Sequence, residues 1–473
     1  MPSEPTNRRW FVAAVLTAFV ALIYWPTAGF EFLNWDDPWY VTDNPLVKSW
    51  SPSNLAAIAT EPCSKNFAPL TIFTLLVEHT LFGSWAGGYH LVNVLLHTAN
   101  AVLVFVLVRQ VVKSEFPAWL AAILFAVHPI QIETVAWISS LKSVLAGMGM
   151  LISLIYWLRP ERTGRQEALG FAWLLVALLA KASAVVVPGI VFLYDVIVQR
   201  KKWSEAISRQ IFPGLFCVMA IFLNMHAQNQ IWGGTREHYD WGRLKILAVD
   251  SVIVWRYLRM LVAPYDLSVM YDVDGSNPWP AAAVATAAWA LVTWLVWRVR
   301  NTRPMVAWAY AVWWLLLFPM LNIFPITTLM NDRYLYLPCI LVFAAAAAGV
   351  EALLSTLAAS TNADAGSVGH GARLLAATTA ALLVAAVMSY SAISMRYVQV
   401  WRNPTTLWVH AIEHSPELPV VQIQWALTLH ARGETHRACE ILEQVVAGRR
   451  ADEGDRRRIA RLLDEWRPVP SST

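Results

Sequence analysis

The sequence has few charged residues. Asp, Glu, Lys and Arg make up only 14% of its 473 residues, against about a quarter of a typical soluble domain. Hydrophobic residues make up 57%, and the mean hydropathy is +0.46. This composition excludes an ordinary soluble domain and predicts an integral membrane protein in contact with membrane lipid.

The sequence also lacks a large net charge and a cysteine pattern. The 36 basic and 32 acidic residues leave a formal charge of +4, and the basic residues concentrate in short loops between apolar stretches. The excess therefore indicates membrane topology, and we expect no nucleic-acid partner. The four cysteines have no metal-ligand spacing and say little about function.

Apolar stretches of about membrane length recur along the chain. They predict an all-α, polytopic fold with about eleven transmembrane helices. The predicted spans are Trp10–Ala28, His90–Val108, Ala118–Thr134, Ser143–Leu158, Leu169–Ala180, Ala184–Val198, Ile211–His226, Pro280–Val296, Met305–Phe324, Leu335–Leu354 and Leu374–Tyr390. The segment Ile246–Val262 contains three charges and predicts an amphipathic helix at the membrane surface instead.

An odd number of spans and the positive-inside rule predict the topology. The N-terminus is expected in the cytoplasm and the C-terminus across the membrane. The long first loop, with interfacial helices, and the loops 227–279 and 325–334 then lie outside. We expect residues 1–394 to form the transmembrane domain and residues 395–473 to form a helical extracytoplasmic tail. Leu429, Gly433, Ala438 and Leu442 fit the spacing of a tetratricopeptide repeat, and a generic helical hairpin is the alternative.

A paired carboxylate, Asp36-Asp37, follows the first span in a loop rich in aromatic residues. Adjacent carboxylates repel when both ionise, so one of them is suited to act as a base, or the two to share a hydroxyl acceptor or a divalent ion. An ordinary Asx-turn beside Pro38 is the alternative. We predict Asp36 and Asp37 as the catalytic residues.

Ionisable residues cluster at the outer turns of two predicted hairpins. His128, Glu133 and Lys142 lie at one turn, and Lys181 lies at the tip of the next. A cation at the membrane boundary suits the phosphate of a lipid carrier. The alternative is that these lysines are interfacial anchors.

Two further regions supply predicted substrate-binding residues. Asp332-Arg333 precedes a span, and Arg333 has the side chain best suited to a phosphate, although Asp332 could simply neutralise it. His90, Asn93 and His97 share one helical face, which more often bonds to neighbouring helices than binds a ligand. We keep His90 as a candidate and assign no metal to this stripe.

Several separated segments of the chain form one pattern. They are Asn34-Trp35-Asp36-Asp37, Asn44-Pro45, His90-Leu91-Val92-Asn93 with His97, His128-Pro129-Ile130, Glu133-Thr134-Val135-Ala136-Trp137, Leu179-Ala180-Lys181 and Asp332-Arg333-Tyr334-Leu335-Tyr336-Leu337-Pro338. Together these segments resemble the membrane O-mannosyltransferases with tetratricopeptide repeats (the TMTC-like branch) and their bacterial relatives. The resemblance implies a glycosyltransferase fold of the GT-C type, a polyprenyl-phosphate-linked sugar donor and an extracytoplasmic site. It also implies a bacterial inner membrane, with the C-terminus in the periplasm.

The resemblance implies that one acid of the pair activates the acceptor hydroxyl. Tyr40 and Tyr336, within the matching regions, complete the predicted substrate-binding residues. The chain departs from the family where Gln131 replaces a frequent His and where Leu141-Lys142-Ser143 replaces an Arg-Lys-Asp run. The donor sugar or the acceptor is therefore open.

The predicted function is inverting transfer of a sugar from a polyprenyl-phosphate carrier to a hydroxyl of a protein or glycan, in the manner of a mannosyltransferase. No cofactor is expected, with Mg or Mn between the two acids as the alternative. A lipid or glycan transporter would show inverted repeats, which the sequence lacks. A non-catalytic scaffold would leave the acidic loop without a role.

Overall fold

The computed structural model describes residues 6–64, 66–232, 241–322, 328–363, 367–448 and 450–466. Within these ranges the chain is helical, with no β-strand and one isolated bridge between Cys63 and Asn66. The α-helices are α1 Thr6–Tyr24, α2 Pro52–Thr60, α3 Pro69–Phe82, α4 Ala86–Val112, α5 Glu115–Val127, α6 Ile132–Ala136, α7 Leu141–Trp157, α8 Gly164–Ala180, α9 Val187–Leu193, α10 Trp203–Trp232, α11 Arg243–Val262, α12 Trp279–Val299, α13 Pro304–Leu317, α14 Cys339–Ala363, α15 Ser367–Tyr397, α16 Pro404–His414, α17 Pro419–Ala431, α18 Thr435–Ala447 and α19 Glu453–Trp466. The all-α prediction is confirmed.

Seven helical segments of the described chain are long and apolar enough to cross a bilayer. They are Trp10–Gly29, Ala86–Val112, Ile138–Trp157, Trp203–Gln228, Trp279–Val299, Cys339–Ala359 and His370–Trp401. Helices α5 and α6 form an eighth span if their 55° bend is counted within one segment. The chain is therefore an integral membrane protein, as its composition predicts.

The other three predicted spans fall on shorter helical segments. These are α8, Ala182–Val198 and Pro304–Met320, and the end of the predicted span Met305–Phe324 lies outside the described residues. Every predicted span thus coincides with a helical segment, while the count of about eleven crossings stays a prediction. Helix α11, which covers the predicted surface helix, is not among the long apolar segments.

Helices α7 and α8 form a close hairpin that sets the geometry of the site. A Cβ added to Gly149 of α7 would lie 2.9 Å from the backbone nitrogen and the Cβ of Ala177 of α8, so only glycine allows this approach. Helix α7 begins at Leu141 and α8 ends at Ala180. The hairpin therefore brings Lys142 and Lys181 to the same end.

Apolar side chains cover the outside of the bundle. On α10, Leu215 and Phe222 are 62% and 68% exposed, and on α15, Leu382 and Met388 are 65% and 67% exposed. An apolar outer surface of this extent is what a bundle surrounded by lipid presents.

The segment between α1 and α4 folds on its own core. It contains α2, α3 and the short helical turn Pro38–Thr42, and it buries Tyr40, Val47 and Leu75. The first loop is thus an ordered cap over one end of the bundle and contains two short helices, whose location at the membrane interface stays a prediction.

The C-terminal tail packs against this cap. Helix α15 continues through the predicted boundary at residue 394 to Tyr397, and α16 to α19 follow. Trp408 of α16 is fully buried, and its indole N–H donates to Asn34 Oδ1 over 2.7 Å. Gly433, with φ of 86°, forms the turn between α17 and α18. The repeat assignment of this hairpin stays a prediction.

Candidate active site

The two adjacent acids have different environments. Asp37 is fully buried, and its carboxylate accepts three hydrogen bonds. Oδ2 accepts from the Leu33 backbone N–H at 2.8 Å, and Oδ1 accepts from the Ser139 backbone N–H at 3.2 Å and from the Ser139 hydroxyl. Asp37 therefore fastens the first loop to the turn that precedes α7.

Burial also affects the protonation of Asp37. It raises the pKa of this carboxyl from 3.8 to about 6, against the opposing effect of the Ser139 and Leu33 hydrogen bonds. Both carboxylate oxygens of Asp37 thus already accept hydrogen bonds, and burial disfavours the ionised form of the side chain.

Asp36 is the accessible acid of the pair, with a side chain 33% exposed. Its Oδ2 lies 3.9 Å from Lys142 Nζ. That ammonium group donates to the Tyr40 hydroxyl over 3.1 Å and lies 4.2 Å from the centre of the Tyr40 ring. The carboxylate of Asp36 therefore stands next to a cation that other groups hold in place.

Lys181 is the second cation of the site. Its Nζ donates to the hydroxyl of Ser143 over 2.9 Å. Burial, together with the nearby charges of Lys142 and Arg333, lowers the pKa of Lys181 from 10.5 to about 7. A bound anion would stabilise the charged form of Lys181 against both burial and the two like charges.

Arg333 is the third cation. Its guanidinium pairs with the buried carboxylate of Glu133, which also accepts from the Arg333 backbone N–H over 2.8 Å. The guanidinium lies 5.4 Å from the ring of Trp137 and 5.8 Å from that of Trp35, and these two indoles stack 4.4 Å apart. Glu133 and the aromatic pair together fix the orientation of Arg333.

We call Asp36, Glu133, Lys142, Lys181 and Arg333 the cationic cluster. When all five side chains are ionised, three cations meet two carboxylates, so these five residues carry one positive charge in excess. The cations interact with one another electrostatically, since Arg333 and Lys142 both act on the pKa of Lys181. Excess positive charge in a partly buried site is suited to bind phosphate.

The neighbouring Asp332 bonds to two tyrosines that are not members of this cluster. It is fully buried and accepts hydrogen bonds from the hydroxyls of Tyr271 and Tyr397, the latter at 3.2 Å. Burial, followed by the charge of Glu133, raises the pKa of Asp332 well above the ordinary value of a carboxyl.

Besides Asp37 and Tyr40, four predicted site residues lie outside the cationic cluster. Asp332 faces the two tyrosines, and Tyr336 bonds through its hydroxyl to His97 and Asn100 at 3.1 and 2.9 Å. The remaining two are also buried: His128 Nε2 lies 3.1 Å from the Leu261 carbonyl, and His90 packs edge-on against Phe30. Their substrate-binding roles stay predictions.

The polar stripe on α4 bonds to neighbouring elements, as predicted. Asn93 donates to the Trp137 carbonyl over 3.0 Å, and His97 contacts Tyr336. These contacts hold α4 against the segments that carry the site.

Sequence reasoning missed several residues that shape the site. Ser139 anchors Asp37, Ser143 accepts from Lys181, and Asn66 donates to the Tyr40 hydroxyl over 2.9 Å. The serines carried no signal of their own, because serines in apolar stretches are common. The aromatic residues around the acids were the one signal for the Trp35–Trp137 stack.

The acid pair is poorly arranged for a chelated metal ion. Both oxygens of Asp37 are engaged by hydrogen bonds, which leaves Asp36 as the free carboxylate. Within the described ranges, neither acid belongs to a group of three His, Cys, Asp or Glu side chains with ligand spacing.

Comparisons with known proteins agree with the predicted resemblance. The chain is 28% identical over 226 residues to protein O-mannosyl-transferase TMTC1 of Homo sapiens, which covers 42% of this chain and 25% of that protein. It is 30% identical over 159 residues to TMTC2 of Homo sapiens, which covers 32% of this chain and 18% of that protein. The matches thus span about a quarter of these relatives or less, and no family model matches the chain.

Two solved structures have a similar arrangement. The Archaeoglobus fulgidus oligosaccharyltransferase tethered with an acceptor peptide covers 83% of this chain and 55% of that one, with a TM-score of 0.48 and 12% identity. ArnT from Cupriavidus metallidurans bound to undecaprenyl phosphate covers 89% and 80%, with a TM-score of 0.38 and 12% identity. At these scores they support no inference about chemistry. The sequence matches alone confirm the resemblance: this integral membrane protein is similar, over part of its length, to the TMTC protein O-mannosyl-transferases.

Proposed function

We propose that this chain is a membrane glycosyltransferase of the GT-C type. It transfers a sugar from a polyprenyl-phosphate carrier to a hydroxyl acceptor. The observation that carries the proposal is the placement of the accessible carboxylate of Asp36 beside Lys142, in a cluster where Lys142 and Arg333 also act on a third cation, Lys181. The sequence similarity to named O-mannosyl-transferases supports a mannose-like donor and a protein hydroxyl as acceptor.

The proposed reaction is a single displacement at the anomeric carbon. The acceptor hydroxyl loses its proton to Asp36, and its oxygen forms the new bond to that carbon. The bond from the carbon to the phosphate oxygen breaks, and polyprenyl phosphate leaves with the electron pair. A phosphate monoester anion needs no general acid, so the enzyme supplies a base and cations.

The proposal assigns different roles to the two acids. Asp36 is the base because it is accessible and free of strong donors, and Lys142, Lys181 and Arg333 hold the phosphate. Asp37 positions the loop that carries Asp36, since its oxygens already accept from Leu33 and Ser139.

We propose that transfer needs no metal ion, with bridging by Mg or Mn as the alternative. Because Asp37 is engaged in hydrogen bonds, Asp36 is the free carboxylate of the pair. Lys142 beside it already supplies a positive charge, as a metal ion would. Turnover that survives EDTA would support this view, and turnover restored only by Mg²⁺ or Mn²⁺ would favour the alternative.

The proposal also includes the topology. The cationic cluster lies at the end of the α7–α8 hairpin opposite to Arg162. Arg159 and Arg162 lie between the two helices, and Arg165 lies in the first turn of α8. The positive-inside rule then favours an extracytoplasmic site, with the N-terminus in the cytoplasm and the C-terminus in the periplasm of a bacterial inner membrane.

The test is donor turnover in liposomes that contain purified protein and a series of polyprenyl-phosphate sugars, scored as released polyprenyl phosphate. We expect Asp36→Asn to lower turnover by about 10²- to 10⁴-fold, the usual contribution of a general base, with an unchanged unfolding temperature. The matched control is Asp43→Asn, an exposed acid of the same loop, which should retain full turnover.

Asp37→Asn separates the two roles. Its amide would present N–H groups to the Leu33 or Ser139 donors, so we expect a loss of about 1–3 kcal/mol in the free energy of unfolding together with lower turnover. Full turnover by both the Asp36 and the Asp37 variants would refute the mechanism. No turnover by the wild type with any donor and acceptor would favour a transporter or a scaffold.

A further inference from the structure

Helix α16 carries three metal-ligating side chains on one face. His410, Glu413 and His414 are spaced i, i+3 and i+4, which places them side by side on a helix. One ligand atom from each lies within 4.8 Å of those of the other two. Nothing in the proposed transfer reaction uses them.

Backbone carbonyls fix the orientation of both imidazoles. His410 Nε2 lies 3.0 Å from the Leu267 carbonyl, and His414 Nδ1 lies 2.9 Å from the carbonyl of His410. A carbonyl only accepts, so each of these nitrogens carries the hydrogen. The lone pairs are therefore left on His410 Nδ1 and His414 Nε2. Metal-binding histidines are commonly held in this way, with the second nitrogen donating to a carbonyl.

The rest of α16 leaves this face accessible. Leu407, Trp408 and Ala411 are fully buried against the bundle and the first loop, which anchors the helix. Glu413 and His414 are exposed, and His410 is half-buried. The two imidazole rings lie with their centres 4.1 Å apart. The helix is thus fixed on one side and offers the ligands on the other.

We propose that His410, Glu413 and His414 bind a divalent transition-metal ion of the zinc class. Two imidazoles and one carboxylate suit Zn²⁺, which accepts three protein ligands and a water molecule in a tetrahedral arrangement. Mg²⁺ prefers an all-oxygen set, so this site differs from any Mg or Mn bridge at Asp36.

The ion would strengthen the attachment of the tail to the bundle. Binding at Nδ1 of His410 makes its other N–H a stronger donor to Leu267. The residues that follow Leu267 in the chain already bond to Ser415, at the end of α16. The Ser415 hydroxyl donates to the Met270 carbonyl over 2.9 Å and accepts from the Asp272 backbone N–H over 3.1 Å. The ion would lock this junction, which is a structural role independent of the proposed transfer.

The test is Zn²⁺ binding to the full chain, purified in detergent without a polyhistidine tag and measured by equilibrium dialysis with elemental analysis. We expect about one Zn²⁺ per chain. His414→Ala should weaken binding at least tenfold, as even the loss of a supporting contact does at metal sites. Glu413→Gln should also weaken binding.

His436→Ala is the matched control, because His436 is an exposed histidine of the same tail that pairs with Glu440 at i+4. It should leave Zn²⁺ binding unchanged. The proposal is overturned if the wild type binds no Zn²⁺, if His414→Ala binds it as the wild type does, or if the control variant loses it equally. Co²⁺ in place of Zn²⁺ should give the visible absorption of a tetrahedral site in the wild type and lose it in His414→Ala.

Discussion

The two ends of the α7–α8 hairpin both carry clusters of charge, but only one cluster is balanced. At one end, Arg162 pairs with both oxygens of Asp195, and Lys201 Nζ lies 3.3 Å from the same carboxylate. Glu167 lies 3.5 Å from Arg162. Two cations meet two acids there, and we call these four residues the paired cluster.

The cationic cluster at the other end, about 25 Å away for a helix of this length, holds three cations and two carboxylates. Within the described residues, the hydrogen-bond partner of the Lys181 ammonium group is a neutral hydroxyl, that of Ser143. A buried cluster in which positive and negative charges are equal in number is typical of a structural role. A buried cluster with an excess of one charge lowers the stability of the fold until a ligand of the opposite charge binds. Charge balance, more than burial, separates the structural cluster from the candidate site.

Arg162→Leu should have the largest effect on the fold. It leaves the buried carboxylate of Asp195 with Lys201 as its remaining cation, and loss of one partner of a buried pair costs about 3–5 kcal/mol. Thermal unfolding in detergent would measure this loss. Lys202→Gln, at an exposed position of the neighbouring turn, is the control and should change little. An unaffected Arg162 variant would show that the paired cluster does not hold the hairpin.

Lys181→Met should lower activity but not stability, in contrast to Arg162→Leu. It removes a cation that burial and two like charges disfavour, so the free energy of unfolding should stay the same or rise. Donor kcat/KM should fall about 10- to 100-fold, the effect of losing about 1.5–3 kcal/mol of charge-assisted hydrogen bonding.

Lys201→Met provides the mirror measurement at the paired cluster. It should lower stability and leave the kinetics of the folded enzyme unchanged. If the Lys181 and Lys201 variants behave alike in both assays, the distinction between the clusters fails.

The pH dependence should be the mildest effect. The pKa of Lys181 in the folded protein is lowered to about 7, so its charged form is populated below that pH, and donor kcat/KM should fall as the pH rises through about 7. The folded state binds fewer protons than the unfolded state between about pH 7 and the ordinary lysine pKa, so stability should rise over that range.

Lys181→Arg should sharpen this test. Arginine stays charged, so the fall in kcat/KM should disappear or move to higher pH. A wild-type profile that is flat from pH 6 to 9 would contradict the assignment of Lys181 to the phosphate.

Much of the helical framework could be predicted from the sequence, because membrane helices are encoded by local runs of apolar residues. Each predicted span coincides with a helical segment, and the prediction that Lys142 and Lys181 lie at the same end agrees with the α7–α8 hairpin. The short spans could not be resolved, since a segment such as Ala182–Val198 is too short to identify as a crossing by composition.

The division of labour within the candidate site could not be predicted. Asp36 and Asp37 are chemically identical in the sequence, and only the tertiary contact with Ser139 separates them. Likewise, Asp332 was predicted to bind substrate together with Arg333, or to neutralise it, but its carboxylate accepts hydrogen bonds from Tyr271 and Tyr397. Such partners are distant in sequence, and no local pattern indicates them.

The contact between Trp408 and Asn34 has a consequence for how the protein is made. It joins residues 374 positions apart, so the first loop leaves the ribosome long before the helix that packs on it. That loop carries both acids, and its contacts with the tail are complete only when α17 has also been synthesised, because Asn34 donates to the Thr428 hydroxyl over 3.0 Å. A chain interrupted before α16 would therefore carry the acids without the tail that holds their loop.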